Sequence, residues 1–201
     1  MTQTVTRYHT GAMILHWLMA VLIFGNLALG LLLDDIPNDL KFQMYQLHKS
    51  IGISVLVLTV IRILWRFMFK APTLPATLKS WEVWAVKATH FLFYALMVGI
   101  PLSGWALVSA SPMNIPTILF GFIPLPHLPF FNAVQGEDAR KALSHSIGEV
   151  HELLAFVIIA LLLLHIGAAL RHHWFLKDET MLRMTPKWCE GILQKLRGKI
   201  A

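Results

Sequence analysis

Four long apolar segments constrain the fold of this chain more than any other feature. They cover residues 12–33, 51–69, 88–110 and 153–170. A helix needs about 20 mainly apolar residues to cross a hydrocarbon layer about 30 Å thick, and these segments meet that length closely. Because 56% of the chain is hydrophobic and only 14% is charged, its composition is that of a membrane protein. We therefore expect an all-α fold: a transmembrane four-helix bundle forming one domain over residues 1–201.

The positions of the polar residues set the expected element boundaries. We expect helices over about residues 12–33, 48–69, 85–110 and 149–171. Between and after them we expect an outer loop at 34–46, an inner connector at 71–79, an outer flap at 111–148 and a basic tail at 172–201.

Prolines and glycines refine these boundaries. The flap is apolar between residues 115 and 131, but its proline density excludes a fifth spanning helix, so we expect it to lie over the bundle at the interface. Pro101 and Gly104 are expected to interrupt the third helix, and Pro72 and Pro75 lie in the connector. The first apolar segment is too long for a cleavable signal, and no A-x-A-like site follows it.

Basic residues predict the orientation of the bundle. With four spans both termini lie on one side, and most of the 17 Lys and Arg residues fall there: Arg7, Arg62, Arg66, Lys70, Lys79, Lys87, Arg171, Lys177, Arg183, Lys187, Lys195, Arg197 and Lys199. The opposite side receives only Lys41, Lys49, Arg140 and Lys141. Since cytoplasmic loops carry the excess of positive charge, both termini are expected in the cytoplasm.

Four histidines match in depth across these spans. The first helix enters from the inner side, so His16 lies near the inner face, whereas His48 opens the second helix at the outer face. In the fourth helix His151 is outer and His165 is inner. Fourteen helical positions return to within about 40° of the same face and separate two residues by roughly 21 Å. The pairs His16–His165 and His48–His151 therefore predict two ligand sites at two depths.

Paired imidazoles at such depths favour haem. Neutral imidazole suits iron, and two axial imidazoles leave no open position, so such a centre transfers electrons. Cys189 is the only cysteine, which excludes a Cys-x-x-Cys-His attachment motif. We predict two non-covalently bound b haems, each with two histidine ligands. Zinc or copper sites are an alternative, although isolated histidine pairs make poor zinc sites. A haem-free membrane bundle with interfacial histidines is the other alternative.

Further polar residues cluster toward the inner face. Arg62 follows the second-helix ligand by 14 positions and could bind a haem propionate, because Arg pairs with carboxylates; snorkelling to the interface is the alternative, equally for Arg66. His90 has no depth-matched partner, which favours an interfacial role. His172 and His173 could hydrogen-bond a quinone carbonyl, or anchor the tail at the headgroups.

The chain resembles the bacterial cytochrome b561 family over about residues 6–187. The matching stretches are ILHW at 14–17, HKSIG at 48–52 with Arg62 and Arg66, PLSG at 101–104, GEVHE at 148–152 with His165, HHWFLKD at 172–178 and LRMTP at 182–186. The tail match is the most specific. It favours the stand-alone branch over the related cytochrome b subunits of hydrogenases and formate dehydrogenases.

This resemblance implies a membrane oxidoreductase. That branch includes superoxide oxidase, in which superoxide is oxidised at the periplasmic face and ubiquinone is reduced nearer the cytoplasm. By resemblance, the haem ligands are His16, His48, His151 and His165, and the quinone contact is His172. We therefore expect a superoxide:ubiquinone oxidoreductase of the bacterial inner membrane, with no catalytic nucleophile and no nucleic-acid partner.

Two features of the outer side bear on the electron donor. Lys49, Arg140 or Lys141 could guide the superoxide anion, but Asp34, Asp35 and Asp39 repel it. The alternative is a cytochrome b relay or anchor between a periplasmic redox partner and the quinone pool. In that case the long flap would be the docking surface.

Overall fold

Four long helices form the molecule in the computed structural model, which describes residues 6–74 and 78–199. They are α1 (Thr10–Leu32), α2 (Asn38–Met68), α3 (Ser80–Ala110) and α4 (Glu137–Arg171), and all four are long and apolar enough to cross a membrane. The predicted four-helix membrane fold is thus confirmed. Pro75 of the inner connector lies outside the described residues.

Three helices begin earlier than expected from the apolar segments. Helix α2 begins at Asn38 rather than about residue 48, α3 at Ser80 rather than 85, and α4 at Glu137 rather than 149. These added turns mix apolar with charged residues, so they do not read as a continuous apolar span, yet carboxylates in the first turns favour the helix N-termini. The outer loop therefore shortens to 33–37 and the flap to 111–136.

Helix α3 runs without a break through Pro101 and Gly104, contrary to the sequence expectation. A proline removes one helical N–H donor, but side chains can restore the local hydrogen bonding in a membrane helix. Beside the proline, Ser103 Oγ donates to the carbonyl of Ile100 at 2.8 Å, whereas the carbonyl that loses its helical donor at Pro101 is that of Met97.

An apolar layer fills the middle of the bundle. All four helices contribute to it, through Met19, Val55, Leu96, Met97 and Ile158. Ile158 lies midway along α4 between His151 and His165. The layer therefore separates the outer half of the bundle from the inner half.

A β-hairpin covers part of the outer end, which is the end opposite the termini. Strands β1 (Thr117–Leu119) and β2 (Ile123–Leu125) pair antiparallel, with Leu119 opposite Ile123. The hairpin packs along α2, where the Gln46 amide donates to the Pro116 carbonyl at 2.8 Å and accepts from Ile118 N at 3.0 Å. A short 3-10 turn over Pro129–Ala133 then leads toward α4. The flap is thus a structured element fixed to the bundle.

The tail packs against the N-terminus at the inner end. A π-helical turn over His172–Leu176 continues α4, and 3-10 turns at Leu182–Met184 and Lys187–Cys189 lead to α5 (Glu190–Lys199). Arg7 donates to Glu190 Oε2 at 2.6 Å and to the Leu182 carbonyl at 3.2 Å. Trp17 Nε1 donates to the Met184 carbonyl at 2.9 Å. The first and last described segments therefore lie at the same end of the bundle.

Candidate functional site

The structure brings together the two histidine pairs expected from depth matching. The ring centroids of His48 and His151 lie 6.2 Å apart at the outer level, with an interplanar angle of 78°. Those of His16 and His165 lie 6.3 Å apart at the inner level, at 67°. Helices α2 and α4 supply the outer pair, and α1 and α4 supply the inner pair. Helix α4 therefore contributes to both levels.

The spacing of each pair fits one metal ion between two opposed imidazoles. With nitrogen–metal distances of about 2 Å, such an arrangement places ring centroids about 6 Å apart. Within residues 6–74 and 78–199, no group of three or more His, Cys, Asp or Glu side chains could hold a metal. Each pair therefore offers only two protein ligands. That number suits a macrocycle that brings its own equatorial nitrogens and does not suit a structural zinc ion.

Two glycines allow the outer histidines to pack closely against neighbouring helices. A Cβ added at Gly30 of α1 would lie 3.0 Å from His48 Cε1, and one added at Gly104 of α3 would lie 3.1 Å from His151 Cε1. Both positions are too tight for any larger residue without displacing the imidazole. The two rings therefore rest directly on helix backbone.

Two buried polar atoms lie near the outer histidine pair. Counting only the described residues, His48 Nδ1 and Asn26 Oδ1 are buried without a hydrogen bond. An Asn inside an apolar span is costly unless it serves a site in the bundle interior. Buried polar atoms beside an imidazole pair fit a space made for a bound group rather than for apolar packing.

His151 is held in a defined orientation. Its Nδ1 lies 3.0 Å from the Ile100 carbonyl and 2.9 Å from Ser103 Oγ. A carbonyl can only accept, so this contact favours a proton on Nδ1 and leaves the Nε2 lone pair free for a metal. Residues of α3 thus orient a ligand carried by α4.

At the inner pair, Arg62 contacts a histidine. Its guanidinium lies 3.3 Å from His16 Nδ1. Since Arg is always a donor, Nδ1 accepts here, and a neutral ring then carries its proton on Nε2. A metal bound through Nε2 would require the other tautomer, in which Nδ1 of His16 no longer accepts from Arg62.

A basic cavity of about 50 Å³ opens beside this contact at the inner end. Arg62 and Arg66 line it together with Lys70, His90 and Tyr94. His90 Nδ1–H donates to the Val86 carbonyl at 2.8 Å. His90, for which the sequence favours an interfacial role, therefore lines a cationic pocket suited to carboxylates.

The two tail histidines separate into different environments. His172 Nδ1 lies 2.5 Å from Asp178 Oδ2, and the side chain is partly exposed. His173 is buried and contacts the Leu193 carbonyl at 3.2 Å and Arg197 at 3.3 Å. His173 is therefore a packing residue that joins the end of α4 to α5. His172 is left as the histidine able to meet a ligand.

Asp178 is electrostatically tuned by its neighbours. Burial alone would raise the pKa of its carboxyl, but hydrogen bonds from His172 and Thr180 outweigh burial and hold that pKa below its usual 3.8. Thr180 N donates to Asp178 Oδ1 at 2.9 Å. At neutral pH the carboxylate is thus ionised, and it holds the His172 ring with the proton on Nδ1.

The three outer cations considered as anion guides are already engaged. Lys49 Nζ donates to the Pro116 carbonyl at 3.1 Å, and Lys141 forms a 2.6 Å ion pair with Glu137. Arg140 donates to carbonyls at the end of α3, including Ala110 at 3.1 Å and Ser109 at 3.0 Å. Arg140 therefore closes the C-terminus of α3 and does not face the surface as a free charge.

Several site residues escaped sequence reasoning. Gly30, Asn26 and Ser103 each contact or neighbour a histidine from another helix. Asn26 alone carried a detectable signal, as a polar side chain inside an uncharged apolar span. The other two required knowledge of which helix faces lie together.

The chain is similar to known proteins over nearly its whole length. The sequence profile described as prokaryotic cytochrome b561 matches residues 7–187. Cytochrome b561 homolog 2 of Escherichia coli (strain K12) is 31% identical over 188 residues, covering 92% of this chain and 95% of that protein. A Yersinia pestis protein named probable superoxide oxidase CybB is 31% identical, covering 86% and 92%. Cytochrome b561 homolog 1 of E. coli is 28% identical, covering 90% and 98%.

Proposed function

This chain belongs to the prokaryotic cytochrome b561 family of haem-binding membrane electron-transfer proteins, and we propose that it moves electrons across the inner membrane through two b haems. The observation that carries the proposal is the stacking of two imidazole pairs, with centroid separations of 6.2 and 6.3 Å, at two levels of one bundle.

The ligands follow from these pairs. His48 and His151 would hold the outer haem, and His16 and His165 the inner one. Arg62 and Arg66 would bind the propionates of the inner haem in the cationic cavity. When bound, each haem would supply reversible one-electron chemistry, with the two histidines of its pair as its ligands from the chain.

The chain's own residues shape the path between the levels. The two ligands on α4 are 14 residues apart, or about 21 Å along the axis. The apolar layer around Ile158 fills the space between and keeps out water and ions. Electrons can therefore cross the bundle while protons cannot follow them.

At the inner end, His172 is proposed to contact ubiquinone. With its Nδ1 proton held by Asp178, its Nε2 can accept a hydrogen bond, or donate one after protonation, at a quinone oxygen. Full reduction of a quinone takes two electrons and two protons. The proposed orientation, with both termini in the cytoplasm, would supply those protons from the cytoplasmic side.

Superoxide is the proposed outer donor. Each superoxide gives up one electron and becomes dioxygen, so two superoxides reduce one ubiquinone to ubiquinol with uptake of two protons. The name of the Y. pestis relative supports this donor. No residue has to act as a nucleophile or a general base in the oxidation itself.

A second candidate is a relay that receives electrons from a periplasmic redox protein. The charges of the outer side favour it: Lys141 is paired with Glu137, and Lys49 and Arg140 use hydrogen-bond donors on backbone carbonyls of the fold. Asp34, Asp35 and Asp39 are exposed on the same side and repel negative charge.

Haem counting tests the core of the proposal. The purified protein should contain two b haems per chain in a reduced-minus-oxidised spectrum with pyridine haemochrome quantitation. Replacing His151 or His165 with Ala should each remove one haem, because each serves a different level. If either variant keeps both haems, the pairing is wrong, and a protein without a Soret band would end both candidate functions.

Product stoichiometry separates the two donors. A superoxide oxidase in membranes supplied with ubiquinone consumes superoxide and yields ubiquinol and oxygen with little peroxide. One peroxide per two superoxides would instead be dismutation and would exclude this reaction. Absence of any superoxide reactivity, together with reduction by a co-purifying periplasmic redox protein, would establish the relay.

A further inference from the structure

We propose that the turn of the outer hairpin, residues 120–123, inserts into the outer leaflet of the bilayer and contacts lipid chains through Phe120 and Phe122. We call these residues the hairpin tip. The proposal requires the bundle to span a membrane and does not depend on haem or on the electron donor.

Hydrogen bonds set the depth of the hairpin tip. Strand β1 starts beside Gln46, which accepts from Ile118 N, and it ends where Phe120 N donates to Ser50 Oγ at 2.9 Å. From Gln46 to Ser50, α2 descends about 6 Å toward the membrane centre. The hairpin thus points inward along α2, and its tip is its deepest part.

Helix α1 relates the depth of the tip to the apolar surface of the bundle. Gly30 of α1 packs on His48, so these two residues lie at one level. Ser50 lies about 3 Å deeper than His48 along α2. The neighbouring α1 residues Leu31 and Leu32, farther out than Gly30, are still 57% and 55% exposed on an uncharged spanning helix. The hairpin tip is therefore deeper than side chains that already face the apolar layer.

The backbone N–H groups of the hairpin tip are hydrogen-bonded within the protein. Phe120 N is bound by Ser50 Oγ, Gly121 N donates to the Ile118 carbonyl at 3.4 Å, and Phe122 N donates to the Leu119 carbonyl at 3.1 Å. An unpaired N–H group is costly wherever water is scarce, so a turn near lipid needs its donors bonded within the protein. These three successive N–H groups are bonded in that way, as insertion at the interfacial level requires.

The tip's side chains are apolar where turns are usually polar. Phe120 has φ of 51° and Gly121 has φ of 85°, a left-handed region in which Asn, Asp and Gly are preferred. Phe120, Phe122 and Ile123 are 52%, 72% and 51% exposed. A strained phenylalanine with an exposed ring is unfavourable in water but suits the interfacial zone, where aromatic rings are stabilised.

Spin-label accessibility in proteoliposomes tests the insertion. In a Cys189→Ser background, nitroxide labels are placed at Phe122→Cys, at Leu31→Cys as a lipid-facing reference, and at Ala139→Cys in the first turn of α4 as a water-facing reference. Collisions with oxygen, which partitions into lipid, are compared with collisions with a water-soluble nickel chelate. The label at residue 122 should behave like that at residue 31: oxygen broadens its spectrum, and nickel broadening is lost.

Two outcomes would overturn the proposal. A label at residue 122 that nickel relaxes as strongly as the one at residue 139 would place the tip in water. A label shielded from both reagents would place it in a protein interface, with a second copy or another partner. If the Phe122 variant does not yield a monodisperse bundle, Phe120→Cys offers the same reading from the other tip ring.

Discussion

At the residue scale, the outer histidines depend on the absence of a side chain next to them. We expect Gly104→Ala to lower haem content, because its Cβ would lie 3.1 Å from His151 Cε1 and 3.4 Å from Nδ1. The matched control is Gly25→Ala, where an added Cβ meets no atom of the described residues within 4 Å. Haem per chain measures the effect. Equal haem content in both variants would show that the ring tolerates displacement.

The contact between Ser103 and His151 makes a second prediction. Ser103→Ala removes a hydroxyl 2.9 Å from Nδ1 and should weaken haem retention by about tenfold or more, as loss of partners around a metal ligand typically does. Ser54→Ala is the control, since its hydroxyl bonds only within α2, to the Ser50 carbonyl. Titration of apoprotein with haem reports the affinity. Identical affinities in the two variants would contradict the orienting role.

The lowered pKa of the Asp178 carboxyl predicts an acid-sensitive tail. Because the folded pKa lies below 3.8, ionised Asp178 stabilises the docked tail above that pH, and this stabilisation is lost as pH falls through the folded value. Fluorescence anisotropy of a dye on Cys189 should therefore drop upon acidification in the wild type. In Asp178→Asn the same label should already be mobile at neutral pH. An unchanged variant would mean that the contact does not hold the tail.

At this scale, sequence reasoning identifies which residues are neighbours only where their depth in the bundle determines it. The four paired histidines meet because helical rise and the order of the spans fix their levels. Gly30, Ser103 and the Arg62–His16 contact could not be foreseen, since they depend on how each helix is rotated about its axis.

At the element scale, an ion pair joins the N-terminal lead to the tail. Arg7 and Glu190 lie 2.6 Å apart, with side chains only 12% and 29% exposed. Arg7→Gln should lower stability by about 1 kcal/mol, since its partly buried partner loses a charge-assisted bond. Lys141→Gln breaks the Lys141–Glu137 pair, which has the same length but side chains that are 60% and 69% exposed. It should therefore lower the stability by less than Arg7→Gln does. Thermal unfolding of the two variants makes the comparison, and equal costs would contradict it.

The elements that could be predicted are those that a long run of apolar residues defines. The four spans were recognised, but the first turns of α2, α3 and α4 were not, because charged and polar residues interrupt the apolar run there. Strands β1 and β2 contain three residues each, too few for an alternating pattern. The prolines of the flap excluded a helix without indicating what replaces it.

At the scale of the whole molecule, charge asymmetry makes a topological prediction. The first and last described segments share one end of the bundle, and that end carries most of the basic residues. We expect a C-terminal alkaline phosphatase fusion to be inactive and a C-terminal green fluorescent protein fusion to fluoresce in cells. A reporter inserted after Asn132 in the flap should give the reverse pattern. An active C-terminal phosphatase would invert the proposed direction of electron flow.

Helix α4 extends well past the outer histidine pair, since Glu137 precedes His151 by 14 residues, or about 21 Å. The same helix carries one member of each histidine pair, so one continuous element joins the two imidazoles to the outer end of the bundle. A slight rotation at its outer end would turn both imidazoles by the same angle and in the same sense.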